Sequence, residues 1–382
     1  MTEFLHKQEI QKVINLYSNY LERHFTNSLH FKLTENSDTS PFARCFWIFG
    51  MHLIRKNSFF DSIKHELAKS IITDLHLLKK RNSYDFKFTK HYQQLLCFSL
   101  SALSILKLID VYPLEEFVID QIPLNINDTL NSYGCNYGKP QSGNHAMFIA
   151  IFLLHSQKYL NISCTKNINL WVDYHLSTMN KNGFWGNKDN ITYLQFQNGY
   201  HQYEIFEYLN INHNQTFNTL KTLADNYGHF APYPGGGGCY DYDAIFLLTQ
   251  HFKKNNKLLM KSLFSLLSIQ NPDGGFSESH KIRPRSLINI INHIKFCFSN
   301  FKNTDMALEK FRLLITLQFP KNNTINTHWT NYSREWSESN LWDSWFRMLS
   351  IARIDMCASQ SFDWGFINYP GIGFHHSITN EK

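Results

Sequence analysis

The feature that most restricts what this chain can fold into is a recurring turn in which a glycine is followed at once by large rings. It occurs as Gly183-Phe184-Trp185, Gly228-His229-Phe230 and Gly274-Gly275-Phe276, with Trp185, Phe230 and Phe276 spaced 45 and 46 residues apart. Looser counterparts stand at Tyr137, Trp329 and Phe374. A fixed period of this length marks stacked helix-pair units, none of which can bury its apolar face alone. The glycine permits a left-handed or closely packed turn, and the ring then plugs the end of the pair.

The segments between these turns carry helical periodicity. Residues 4–25 place Leu5, Ile10, Val13, Ile14, Tyr17 and Leu21 on one stripe, and 61–80 repeat the habit with Ile63, Leu67, Ile71, Leu75 and Leu78. Further helices are predicted over 42–57, 90–110, 143–159, 165–180, 194–209, 214–225, 240–253, 257–269, 284–298, 304–317 and 338–354. Strand-type alternation is scarce, so the class is all-α, with an α/α barrel (toroid) of helix-pair repeats as the expected architecture. Residues 131–382 hold the repeats. Residues 1–130 hold helices without a clear Gly-aromatic turn and are expected to form an N-terminal helical region of the same barrel.

Composition narrows the function classes. With 382 residues and 43% hydrophobic side chains the chain fills a substantial core, and only 18% are charged, so neither a disordered nor a disulfide-stapled protein fits. The 37 Lys and Arg against 31 Asp and Glu give a net charge of +6, without a run of five like charges, and point to no nucleic-acid partner. Seven widely spaced cysteines without a Cys-x-x-Cys pair read as reduced thiols. The most apolar stretch, Leu95 to Ile109, is too short to span a bilayer and contains Lys107, and the first residues lack the apolar run of a signal peptide. A cytoplasmic protein without a transmembrane segment is expected. The surplus is aromatic: 32 Phe, 19 Tyr and 8 Trp, or 15% of the chain.

One turn has a more specific form. Gln270-Asn271-Pro272-Asp273-Gly274-Gly275-Phe276 is Gln-x-x-x-Gly-x-Phe, with the Gln placed to hydrogen-bond free backbone groups of a neighbouring turn. Met179-x-x-x-Gly183-x-Trp185 and Asp225-x-x-Gly228-x-Phe230 are degenerate copies. The pattern resembles the QW repeat of the terpenoid cyclases, shared in looser form with the β subunits of protein prenyltransferases, and covers roughly residues 130–380. The resemblance implies an α/α toroid whose inner helices surround an aromatic-lined cavity, and an enzyme acting there on a small or medium organic substrate, an isoprenoid among the options.

In such a toroid the first turns of the inner helices ring one mouth of the cavity. The candidates there are His145, then Gln197, Tyr200, His201, Tyr203 and Glu204, then Gly235-Gly236-Gly237-Gly238-Cys239-Tyr240-Asp241-Tyr242-Asp243, and last Glu338, Trp342 and Asp343. Asp241, Asp243, His201, His145 and Glu204 are the acid–base candidates. Tyr200, Tyr203, Tyr240, Tyr242, Gln197, Trp342 and Glu338 are the substrate-binding ones. Four consecutive glycines cost backbone entropy, so a close approach to some other group is expected at the tract. An Asp at a helix start also serves as an ordinary cap, though two cannot fill one N-cap.

Three chemistries compete. Cys239 matches the zinc thiolate of prenyltransferase β subunits in its Gly-Cys-Tyr context, but Gly237 stands where their Asp ligand would be and the later His is missing, so zinc would need Asp241, His145 or His201. The class II cyclases protonate substrate with an Asp-x-Asp-Asp signature, here only Asp241-Tyr242-Asp243 followed by Ala244, and ring faces would steady the resulting cation. Paired carboxylates among Asp241, Asp243, Glu204 and Glu338 also suit a polysaccharide lyase or glycoside hydrolase barrel. A non-catalytic helical-repeat scaffold is the remaining alternative.

Overall fold

The computed structural model describes residues 2–376 apart from 26–28, 82–88, 188, 212, 214–216, 252–255, 283–285, 300–302, 319–323 and 326–328. Among these residues the chain is all-α, with fourteen α-helices and a single antiparallel pair of two-residue strands, β1 (Thr324–Ile325) and β2 (Arg334–Glu335). None of the helices is long and apolar enough to cross a membrane. The chain forms two compact units. The first gathers Met1–Ile54, Asn190–Phe196 and Gln215–Trp364, and the second gathers Arg55–Asp189, Gln197–Asn214 and Gly365–Lys382.

The first unit is built on α1 (Thr2–His24), α2 (Pro41–Leu53), α10 (Gly238–His251), α11 (Lys257–Ser268), α12 (Leu287–Phe298), α13 (Thr304–Gln318) and α14 (Leu341–Ala358). Helix α14 is its axis: every residue from Leu341 to Asp355 is buried, against α10, α2, α11 and α1. A helix buried all round needs neighbours on every side. Its sequence therefore mixes Leu, Ile and Trp with Asp343, Arg347, Arg353 and Asp355, whose charges must find partners inside. Ring packing fixes it against α2, where Phe46 meets Trp342 and Trp345 at centroid distances of 4.9 and 6.2 Å.

The second unit holds α3 (Lys64–Arg81), α4 (Lys90–Ile105), α5 (Glu115–Val118), α6 (Ile126–Ser132), α7 (Ser142–Tyr159), α8 (Thr165–Thr178) and, beyond its first turn, α9 (Tyr193–Tyr208). Helix α7 packs on α4 and α8. Gly143 lets α7 reach the backbone of α9, since a Cβ there would lie 2.0 Å from the Asn198 carbonyl oxygen. The helix expected over 214–225 is a short 3₁₀ turn, Phe217–Thr222, and 214–216 fall outside the described residues.

The three principal turns have one local structure. Asn180, Asp225 and Asn271 each donate their N–H to the carbonyl four residues on, at 2.9, 2.8 and 2.9 Å, and accept from the glycine N–H three residues on, at 3.0, 3.1 and 2.9 Å. Gly183, Gly228 and Gly274 have φ of 84°, 80° and 89°, the region that excludes most side chains. Trp185, Phe230 and Phe276 are buried plugs, and so is Phe374 after Gly373; Trp329 is half-buried, while Tyr137 is 59% exposed and plugs nothing. The Gln270 amide donates to the Val13 carbonyl of α1 at 3.0 Å and to the Gly274 carbonyl at 2.8 Å, tying its turn to a helix. A Cβ on Gly274 would meet the Leu16 carbonyl oxygen of α1 at 2.1 Å. Gly274→Ala is expected to cost at least about 2 kcal/mol in urea denaturation, from φ strain and the displaced helix together.

Candidate active site

The strongest concentration of buried charge lies in the first unit, where four separate segments meet. The Asp225 turn supplies His229 and Phe230, α10 supplies Cys239, Asp241 and Asp243, the loop after the Phe276 plug supplies Glu278, and the stretch from β2 into α14 supplies Arg334, Asp343 and Arg347. Asp241 is the best-bound member. Its carboxylate accepts from the Phe230 N–H at 2.7 Å, pairs with His229 Nδ1 at 2.8 Å and forms an ion pair with Arg347. The far side of the imidazole meets the Ser265 hydroxyl of α11 at 2.6 Å. Burial alone would raise the carboxyl pKa, but His229, Arg347 and the N–H donor outweigh it and hold Asp241 below the usual carboxylate range.

Arg347 joins this group to a second one, because its other terminal nitrogen donates to the Glu278 carbonyl at 2.8 Å. Arg334 lies between two carboxylates, 2.9 Å from Asp343 and 3.3 Å from Glu278. Asn340 caps α14 by accepting the Asp343 N–H at 2.9 Å, and its amide donates back to the Asp343 carboxylate at 2.6 Å. The Tyr233 hydroxyl donates to Glu278. Arg334 Nε and Nη1 and Asp343 Oδ1 have no hydrogen-bond partner among the described residues, which leaves spare polar capacity inside the cluster.

Three carboxyls, Asp241, Glu278 and Asp343, thus share the two guanidiniums of Arg334 and Arg347. Burial and the charge of Asp343 push Glu278 up to about 7 despite Arg334. One cluster therefore holds a carboxyl moved down and a carboxyl moved up, the separation that assigns different roles to like groups. Glu278 is also the member with an outlet: its side chain is 13% exposed, against 1% for Asp241 and Asp343. Beside it Tyr233 meets Tyr240 and Trp336 edge-on, at 5.9 and 6.4 Å, in an aromatic group with Ala231 and Ile282.

The glycine tract is explained by this cluster. A Cβ on Gly236 would lie 2.2 Å from Asp241 Oδ2, one on Gly237 would lie 2.3 Å from the Tyr233 hydroxyl, and one on Gly238 would lie 2.8 Å from Asp343 Oδ1. The backbone wraps polar side chains so closely that no residue with a side chain fits.

The sequence candidates fall into two sets. In the first unit, Asp241 and Asp243 are both buried but point to different helix faces, Asp243 sharing one with Cys239. Tyr242 packs against Phe246 and Phe346, and Trp342 stacks among Trp329, Phe46 and Phe346, so both rings belong to the core. Glu338 is half-buried at the surface, accepting from Asn36 and Tyr332. Zinc at Cys239 does not fit: no three His, Cys, Asp or Glu side chains among the described residues converge to hold a metal ion. Burial and the charges of Asp243, Glu278 and Asp343 also raise the thiol well above its ordinary value.

In the second unit, His145 stacks on Tyr133 at 4.2 Å and bonds Gln93 at 2.8 Å, while His201 meets Asn144 at 2.7 Å. Burial keeps both rings neutral, His145 near pKa 4 and His201 well below its ordinary value. Glu204 and Tyr200 are buried, Tyr203 is anchored to the Gly183 carbonyl, and Gln197 is half-buried.

The sequence reasoning missed His229, Tyr233, Glu278, Arg334 and Arg347. His229 and Glu278 sit within and just after the turns assigned to architecture. Asp343 and Arg347 did carry a signal, an oppositely charged i, i+4 pair inside an apolar helix.

Among solved structures, the chain is similar to a type II terpene cyclase variant from Scytonema in complex with its substrate, geranylgeranyl dihydroxybenzoate. Identity is 11%, the match covers 94% of this chain and 100% of that one, and the TM-score is 0.47. No protein-family model matches the sequence, and no curated protein does.

Removing Arg347 strands a buried carboxylate, so Arg347→Met is expected to cost about 3–5 kcal/mol, much of it recovered in the Arg347→Met/Asp241→Asn double variant, as a double-mutant cycle in urea would read. Glu278 has its folded pKa raised, so its contribution is complete below the unfolded value of 4.5 and is lost as pH rises toward about 7. Glu278→Gln is therefore expected to gain stability relative to the wild type between pH 5 and pH 8, by thermal melting across that range.

Proposed function

We propose that this chain is an enzyme that protonates an unsaturated organic substrate of isoprenoid type, with Glu278 as the general acid. The observation that carries the reading is the partly exposed side chain of Glu278, its carboxyl pushed up to about 7 so that a large fraction keeps its proton at neutral pH, among buried charges and next to the rings of Tyr233, Tyr240 and Trp336. A proton donor must retain its proton at working pH and still reach the substrate.

In this reading the Glu278 O–H bond breaks as a C–H bond forms at one carbon of a double bond, leaving positive charge on the adjacent carbon. Arg334 and the Tyr233 hydroxyl, already in contact with the carboxyl, stabilise the carboxylate that remains. Ring faces attract the cation, and the reaction ends when that cation loses a proton or captures a nucleophile. Asp241 is a positioning residue: ionised, it orients Arg347, which holds the Glu278 main chain. The resemblance of the Gln270 turn to the QW repeat supports the isoprenoid class.

The test is turnover of linear polyprenyl olefins in deuterated water, followed by mass spectrometry for carbon-bound deuterium. One solvent deuteron is expected in the product, and Glu278→Gln should lower the rate by about 10² to 10⁴ while the protein stays folded. Full activity in Glu278→Gln, or product without solvent deuterium, would overturn the assignment.

A further inference from the structure

Helix α12 departs from the rule that a helix turns its apolar face inward. Leu287, Ile288, Ile291 and Phe298 are 79%, 70%, 49% and 56% exposed, and Ile294 is 37% exposed, whereas the buried side of the helix is marked by His293 and Cys297. Leu287, Ile291, Ile294 and Phe298 follow an i, i+4, i+7, i+11 spacing, a stripe about 60° wide at 100° per residue. Helix α13, packed against α12, adds Leu308 and Ile315 at 48% and 60% exposure, with exposed Arg312 between them. Apolar surface this continuous marks an interaction site.

The side of α12 next to the stripe carries the opposite chemistry. Asn292, Lys295 and Ser299 border a cavity of about 500 Å³, completed by Asn226, Tyr227 and Lys281. The acidic residue of its lining, Asp225, turns its carboxylate to the N–H groups of Tyr227 and His229 at 2.7 and 2.9 Å. Beneath lies a third lysine, Lys310, whose ammonium donates to the Phe296 carbonyl at 3.3 Å and the Ser299 hydroxyl at 3.1 Å. Helix α12 itself contains no Asp or Glu. Lys295 thus stands between an apolar stripe and a cationic, amide-lined cavity of a size that accepts a phosphate group.

We infer that the α12–α13 hairpin lies on an anionic lipid surface, with the apolar stripe entering the acyl boundary and the Lys281–Lys295 cavity taking a headgroup phosphate. The charge complementarity selects this occupant. A second copy of the chain would bring another set of lysines against these, whereas anionic lipid supplies both the hydrocarbon and the phosphate that the two adjacent surfaces require. None of the described helices is long and apolar enough to cross a bilayer, and an amphipathic hairpin of this kind makes an interfacial contact.

Co-sedimentation of the full chain with vesicles tests it. Binding is expected to phosphatidylcholine vesicles containing phosphatidylglycerol and not to phosphatidylcholine alone, and it should weaken as sodium chloride is added. Lys281→Glu with Lys295→Glu should weaken it by about thirtyfold or more. Leu287→Ser with Ile291→Ser should abolish it with an unchanged melting curve, and a fluorophore at Phe298→Cys should shift to the blue on the same vesicles. Equal sedimentation with both vesicle types, or none with either, would overturn the inference. So would a dimer in light scattering that Ile291→Ser dissolves, or complete displacement of the protein by inorganic phosphate, which would make the cavity a site for a soluble phosphate.

Discussion

The first unit depends on one carboxylate. Asp241 joins the N–H of a turn plug, the imidazole of the same turn and a guanidinium on the central helix, so three segments distant in sequence share one buried charge. Such an arrangement adds less to stability than its contacts suggest, because removing the ions from water costs nearly what their attraction returns. What it adds is register. Arg347 reaches Asp241 only when α14 stands at one height beside α10, and the same arginine then fixes the main chain at Glu278.

The turns were legible in the sequence because their cause is local. A glycine at φ near 85° and a ring that must leave water leave a mark wherever they occur, and the 45- and 46-residue spacing made the copies visible. The weakest copy failed: Tyr137 remains in solvent. Helices were legible through their stripes, and α14, expected over 338–354, spans Leu341–Ala358 behind the capping Asn340.

The site was only half legible because its properties are not local. Asp241 and the glycine tract attracted notice, but Arg347 lies 106 residues beyond Asp241 and Glu278 lies 56 before Arg334. No spacing rule joins them. The environments also differed from the expectation: an Asp at a helix start suggests an acid, yet His229, Arg347 and the Phe230 N–H hold Asp241 below the usual carboxylate range. The proton settles instead on Glu278, whose neighbours are a second carboxylate and a shared guanidinium. The rings divided in the same way, since Tyr242 and Trp342 went to the core and Tyr240 joined Tyr233 and Trp336 near Glu278.

The position of α14 in the chain has a kinetic meaning. The helix that α1, α2, α10 and α11 all pack against is made after every one of them. During synthesis the apolar faces of those four helices, and the acid on α10, wait without their principal partner until residues 341–358 leave the ribosome. Closure of the first unit is therefore a late, long-range event, with the slow folding and transient exposure that non-local contacts bring. Meanwhile the second unit has nearly all of its helices in one stretch, 55–189, and can form its core from contacts already available to the growing chain.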